Sequence, residues 1–341
     1  MENFKKQAIA TEVIKVLKSR FDSFPQNDAT TRNAPFHKAF LNAFSDKITD
    51  AGTNINALLS MSSWMHGLNT TLGQTFFENV AQILSGGEKK TFTNNHIFAS
   101  QMARINEIMT DLKNSQHIPN LTREDTIISE NATGELTAAP NFTADCFFSD
   151  DRNVVAIELK SVRPNSGEMR GEKQKILTSK AFLGRQYPGK NIFYYVGFPF
   201  DPLSFTDIGY DKTSFMRSVI ELTKFCAHEE VLLADEFWSF LSGEENTMQE
   251  ILDIINSIAT VDFLNEFDFI KDSNNLTSNT EEYMRIANKW NVYSEVSIVQ
   301  NIQNIINAAN NSIPIQRALN KSSFSDKGKY QEERAQILLN I

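Results

Sequence analysis

Asp145-Cys146-Phe147-Phe148-Ser149-Asp150-Asp151-Arg152-Asn153-Val154-Val155-Ala156-Ile157-Glu158-Leu159-Lys160 is the stretch that decides the fold. Two β-prone runs flank Asp151 and Arg152, and a two-residue turn there makes a hairpin. Such a turn pairs positions whose numbers add to 303, which sets Asp145 directly opposite Glu158. Opposed side chains in an antiparallel pair have Cβ atoms roughly 5 Å apart, where two carboxylates repel unless a cation lies between them. Strand alternation places Val154, Ala156, Glu158 and Lys160 on one face and Val155, Ile157 and Leu159 on the other. The second set is expected to enter a core while the first face displays acid and lysine together. An oxygen-rich pair suits a hard cation such as Mg²⁺, which keeps several waters and takes one or two carboxylates plus a substrate phosphate. Lys160 is then placed to hold or deprotonate an attacking water. The hairpin reads as a metal-dependent nuclease centre.

An acid two residues before a lysine is common, and Glu88-Lys89-Lys90 and Asp111-Leu112-Lys113 share that spacing. Neither follows a strand-like run with an acid at pairing distance, and both lie in polar or helix-like surroundings. The bland alternative is a half-buried hairpin whose solvated face carries an ordinary Glu158–Lys160 pair.

Composition narrows the class. A chain of 341 residues with 41% hydrophobic content can bury a sizeable core, as one large domain or a core with an appended helical part. There is no run of 18 apolar residues and no apolar N-terminal signal segment, so a cytoplasmic protein is expected. Two cysteines, Cys146 and Cys226, cannot build a disulfide framework, and Cys146 reads as core. His37, His66, His96, His117 and His228 are scattered without zinc-ligand spacing, and no glycine-rich phosphate loop is present. The net charge of −9 runs against a polyanion partner, but residues 152–190 hold nine basic residues against three acidic ones, an excess of six. With screening over about 8 Å, phosphate binding depends on that local field.

The N-terminal third reads as helical. Ile9, Val13, Val16 and Leu17 share one face, and Leu72, Phe76, Val80 and Ile83 form another stripe. Residues 114–142, with Pro119, Gly134 and Pro140, read as a loop with short strands. Arg163-Pro164-Asn165-Ser166-Gly167 reads as a turn, followed by a helix from about Glu172 to Phe182 that Pro188-Gly189 ends. Asn191 to Phe198 is a β-prone strand, giving a strand, turn, strand, helix, strand core. Val231–Leu241, Met248–Ile258 and Val296–Ala309 are further helix candidates, with Lys271–Thr280 as a linker or exposed loop and no internal repeats.

Pro140-Asn141 ahead of Asp145, then Glu158-Leu159-Lys160, resembles the PD-(D/E)xK nuclease superfamily, although the literal Pro-Asp pair is absent. The longer run through Ser161-Val162-Arg163-Pro164-Asn165-Ser166-Gly167-Glu168 and Gly171-Glu172-Lys173-Gln174-Lys175-Ile176-Leu177 is similar to the TdeIII-like family of type II restriction endonucleases, over about residues 140 to 200. The resemblance implies a mixed α/β fold of the α+β kind, with a restriction-endonuclease-like core of mixed sheet flanked by helices. The chain is expected to divide into a helical part over 1–115 that lends the core a helix near 70–85, a catalytic core over 116–205, and a helical part over 206–341 that packs on the core and serves dimerisation. Asp145 and Glu158 would be metal ligands with the Leu159 carbonyl, and Lys160 the catalytic lysine.

Superfamily members often bring a helix-borne acid to the metal, which makes Glu78 a candidate. At about 100° per residue, however, Glu78 points away from the Leu72–Ile83 stripe, as a plain exposed Glu would. Arg163, Asn165, Ser166, Glu168, Arg170, Lys173 and Gln174 follow the centre and are expected to touch DNA, with Arg163 and Arg170 as base readers or phosphate contacts. The implied activity is Mg²⁺-dependent, sequence-specific cleavage of double-stranded DNA by a homodimer, paired with a DNA methyltransferase. The alternatives are a structure-specific repair nuclease of the same superfamily and a non-catalytic DNA-binding protein with this fold.

Overall fold

The computed structural model describes residues 1–25, 34–161 and 166–341, apart from the side chains of Phe36 and Ser166. It comprises two compact units: Phe77–Glu250 with Met1, and Glu2–Phe76 with Ile251–Ile341.

The first unit is built on seven strands: β1 (Glu88–Phe92), β2 (His96–Phe98), β3 (Leu136–Ala138), β4 (Phe142–Ser149), β5 (Asn153–Leu159), β6 (Asn191–Phe198) and β7 (Val231–Leu233). Its helices are α1 (Phe77–Ser85), α2 (Ala99–Lys113), α3 (Leu121–Glu130), α4 (Ser166–Gln186), α5 (Lys212–Ser218), α6 (Leu222–Phe225) and α7 (Asp235–Ser242). The main sheet runs β1-β4-β5-β6-β7, antiparallel across β1, β4 and β5 and parallel across β5, β6 and β7, while β2 and β3 pair separately. It is a mixed sheet with helices on both faces.

The hairpin has the expected register. Pairing runs from Cys146 opposite Ile157 to Ser149 opposite Val154. The turn is fixed by Asp150, whose N–H donates to the Asn153 carbonyl at 3.0 Å and whose carboxylate accepts from the Arg152 and Asn153 N–H groups, both at 2.7 Å. The expectation of one buried and one displayed face is corrected: Val154, Val155, Ala156 and Ile157 are all buried. As the middle strand of a sheet covered on both sides, β5 needs apolar residues at every position, and its polar residues are confined to the carboxyl end. Gly197 of β6 permits that covering, because a Cβ there would lie 2.6 Å from the Phe237 ring of α7 and 3.2 Å from Ile157.

Other expectations change too. Residues 114–142 hold a helix, α3, set by reciprocal capping: the Asn120 side chain accepts from the Arg123 N–H at 2.8 Å, and Glu124 accepts from the Asn120 N–H at 3.1 Å. Ser166 and Gly167 begin α4 rather than close a turn, and that helix ends at Gln186, ahead of Gly189 with its positive φ of 83°. Val231–Leu233 is a strand, because three consecutive buried apolar residues fill the parallel edge beside β6. Lys271–Thr280 contains a helical turn, Asn275–Ser278, that buries Leu276.

The second unit is helical. Its Asn3–Asp22 helix buries Ile9, Ala10, Val13 and Ile14, leaving Val16 and Leu17 at the margin of the expected face. At its centre the Glu295 carboxylate, fully buried, pairs with Arg334 at 2.6 Å and accepts from the Tyr283 and Tyr330 hydroxyls at 2.7 Å each. A buried charge with that many donors is satisfied rather than stranded.

Candidate active site

Glu158 stands at the carboxyl end of the middle strand, where open α/β sheets leave a crevice for ligands. Asp145 reaches it through an irregularity in β4. Between the pairs Glu88–Phe147 and Lys90–Ala144, β4 uses one more residue than β1, a bulge of the kind that re-aims side chains beside active sites. The bulge is anchored by the Gln82 side chain of α1, which donates to the Asp145 carbonyl at 3.1 Å. The Asp145 carboxylate in turn accepts from the Leu159 N–H at 3.0 Å, tying the two strands together at the site.

At the site three lysines interleave with five carboxylates. Lys89 of β1 lies 2.7 Å from Glu78 and 3.4 Å from Asp145. Lys175 of α4 is 2.8 Å from both Glu158 and Glu172. Lys160 contacts Glu172 at 2.9 Å and Glu158 and Glu168 at 3.2 Å each. Asp145, Glu158, Lys89 and Lys175 line one cleft of about 450 Å³, together with Thr91, Asn141, Phe142 and Thr143.

Burial sets the electrostatics. The side chains of Asp145, Glu158, Glu172 and Lys160 are only 13–15% exposed. Desolvation raises the Glu158 carboxyl above its ordinary range; Lys175 opposes the shift, and the charges of Asp145 and Glu172 add to it. Glu78 is likewise raised by burial, against its Lys89 partner. For Glu172, burial is outweighed by Lys175 and Lys160, and the carboxyl is held below the usual range. For Lys160, burial is outweighed by Glu172 and Glu158, and the ammonium is pushed far above its ordinary value. An Asp145–Glu158 pair of this kind favours an added cation.

Two sequence comparisons address the chemistry. The family model for HinfI, a type II restriction endonuclease, matches residues 1–259. The type II restriction enzyme MjaII of Methanocaldococcus jannaschii is 44% identical, over 98% of this chain and 96% of its own length. The chain belongs to the HinfI family of type II restriction endonucleases. It is a site-specific deoxyribonuclease, a hydrolase, as the hairpin led us to expect.

Type II restriction endonucleases generally use divalent metal ions, and the residues at this candidate site suit one. Asp145 and Glu158 offer hard oxygen donors to a shared cleft. Among the described residues no group of three or more His, Cys, Asp and Glu side chains is spaced to enclose an ion. A two-carboxylate set leaves room for solvent and phosphate oxygens, the pattern of a hard, reluctantly dehydrated cation rather than of zinc.

Of the residues singled out from sequence, Asp145, Glu158, Lys160 and Glu78 lie together. Glu78 is not the exposed acid that its phase predicted. Leu72–Phe76 winds as a π turn, and α1 buries Val80, Ala81 and Leu84, one position further round than the expected stripe. Glu168 stands on Lys160. Arg170 and Gln174 are exposed on α4, whereas Arg163 and Asn165 lie outside the described residues, as does the Ser166 side chain.

Lys173 does not reach the surface. It is fully buried, 2.5 Å from Glu124 and 2.6 Å from Glu230, and so is not available to DNA in this conformation. Lys180, also buried, pairs with Asp125. Much of the basic excess in 152–190 is therefore neutralised inside the fold.

Sequence reasoning passed over three site residues. Lys89 belongs to the Glu88-Lys89-Lys90 triplet set aside as polar, and its strand-forming signal was weak because β1 is an edge. Glu172 and Lys175 are spaced i,i+3 on a helix face, a signal present in the sequence but readable only once α4 is known to pack over β5 and β6.

Proposed function

We propose that the enzyme cleaves double-stranded DNA with Mg²⁺ held by Asp145, Glu158 and the Leu159 carbonyl, and that Lys160 supplies the catalytic positive charge. The observation that carries this reading is the convergence of Asp145 and Glu158 at the end of β5, with Lys160 3.2 Å from Glu158. In a strand the N–H and C=O of one residue face the same neighbour, so the Leu159 carbonyl is turned toward the side where its N–H meets Asp145. When bound, such an ion polarises the phosphoryl oxygen and offsets the leaving oxyanion's charge. The chain's own residues position the phosphate and hold the attacking water, with Lys160 lending charge to the transition state. Glu78, through Lys89, orients Asp145 and is the helix-borne acid of the site.

The likeness of residues 140 to 200 to the TdeIII-like enzymes belongs to this reading. So do DNA contacts by Arg163, Asn165, Ser166, Glu168, Arg170 and Gln174, a homodimer matching a two-fold DNA site, a partner methyltransferase, and a cytoplasmic setting. The direct test is digestion of a plasmid of known sequence. Discrete fragments with common ends should appear with Mg²⁺ and vanish with chelator. Cutting at full rate in chelator would sink the metal assignment, and random nicking would sink sequence specificity.

The raised Glu158 carboxyl gives a pH signature. Protons and cation compete for that group. Cleavage at low Mg²⁺ should therefore fall on acidification at a higher pH than an exposed Glu would give, and saturating Mg²⁺ should move the inflection to lower pH. An inflection indifferent to Mg²⁺ would argue that Glu158 is not a ligand.

A further inference from the structure

The cleft at Asp145 and Glu158 does not end at Lys175. A second cavity of about 350 Å³ shares Asn141, Phe142 and Lys175 with it and continues along α4 past Gly171, Gln174, Thr178 and Ser179. Positions 171, 174, 175 and 178 recur at i, i+3, i+4 and i+7, so one face of α4 forms the wall. We propose that this groove holds the phosphodiester backbone of the cleaved strand next to the scissile bond, with Gly171 at the point of closest approach.

Two independent observations carry the proposal. Gly171 lies inside a 21-residue helix, where glycine is costly relative to alanine, yet a Cβ there would meet nothing within 4 Å. Its φ is not positive, so neither packing nor backbone geometry requires glycine at this position. A bare backbone on an open helix face suits a ligand that lies flat against it. Separately, the groove opens into the cleft of Asp145 and Glu158 through the shared Asn141, Phe142 and Lys175, so a strand lying in it would continue directly from the scissile position. The polar groups Asn141, Gln174 and the Lys175 ammonium at the junction are backbone-contact chemistry.

The proposal rests on the DNA-cleavage reading, and its test separates the two. In the Lys160→Ala background, so that the duplex stays whole, Gly171→Leu should raise the Kd for a fluorescent duplex carrying the mapped cleavage site about tenfold. Its melting temperature should equal or exceed that of the parent. Replacing single phosphates beside the scissile bond with uncharged methylphosphonates should weaken binding to the parent at one position, and should leave the Gly171→Leu complex indifferent there. A folded Gly171→Leu variant with parental Kd and parental methylphosphonate sensitivity would overturn the groove. Failure of the native enzyme to cut plasmid at all would instead overturn the nuclease reading.

Discussion

Lys160→Ala should lower single-turnover cleavage about 10²–10³-fold, the range found when one preorganised charge or donor is removed from a transition state, while duplex affinity stays within a few-fold. Contacts to Glu172, Glu158 and Glu168 favour its ammonium form. The expected contribution of Lys160 is therefore charge and position. Lys160→Arg, which keeps the charge but not the ammonium's shape, should recover part of the rate.

The metal dependence separates this defect from loss of a ligand. Lys160 repels a cation bound at Glu158, so its removal should tighten Mg²⁺ binding, and the rate loss should persist at saturating Mg²⁺. Asp145→Asn removes a ligand charge, and its defect should be eased by more metal. A Lys160→Ala enzyme cutting plasmid at the native rate would refute the assignment.

What the sequence made legible was local. The β4–β5 register follows from a two-residue turn and from a period of two, both contained in sixteen consecutive residues. The strand, turn, strand, helix, strand order follows from breakers and β-branched runs in the same region. The remainder of the site depends on distant pairings. Lys89 enters because β1, more than fifty residues upstream of its partner strand, adds to β4 as a polar edge. Glu78 enters because a π turn precedes α1, and a period assumed constant at 3.6 cannot register such a break. The sheet's helical cover on both faces is likewise invisible in the hairpin alone, and for that reason Val154 and Ala156 look like outward residues until β6, α4 and α7 are in place.

Lys173→Ala should destabilise the enzyme by about 3–5 kcal/mol, the cost of removing one partner from a buried ion pair, and lower its melting temperature by roughly 10 °C. From sequence Lys173 belongs to a basic run beside the active centre. In the fold it is 0% exposed and, among the described residues, is the single cation paired with both Glu124 of α3 and Glu230, whose side chains are 3% and 1% exposed. Glu124 already has its carboxyl raised by burial, against the pull of Lys173. Without that ammonium both carboxylates lose their cationic partner in low dielectric, and the Glu124 carboxyl, already raised by burial, is raised further. Such a group binds more protons folded than unfolded, so the variant should regain stability as pH falls and lose it as pH rises through the raised Glu124 value. The gap from the native enzyme should therefore narrow in acid. Lys173→Met in a Glu124→Gln, Glu230→Gln background, which removes all three charges at similar volume, should recover much of the loss. If Lys173→Ala instead melted with the native enzyme and bound duplex tenfold more weakly, the lysine would be a DNA contact and not a buried ion-pair partner.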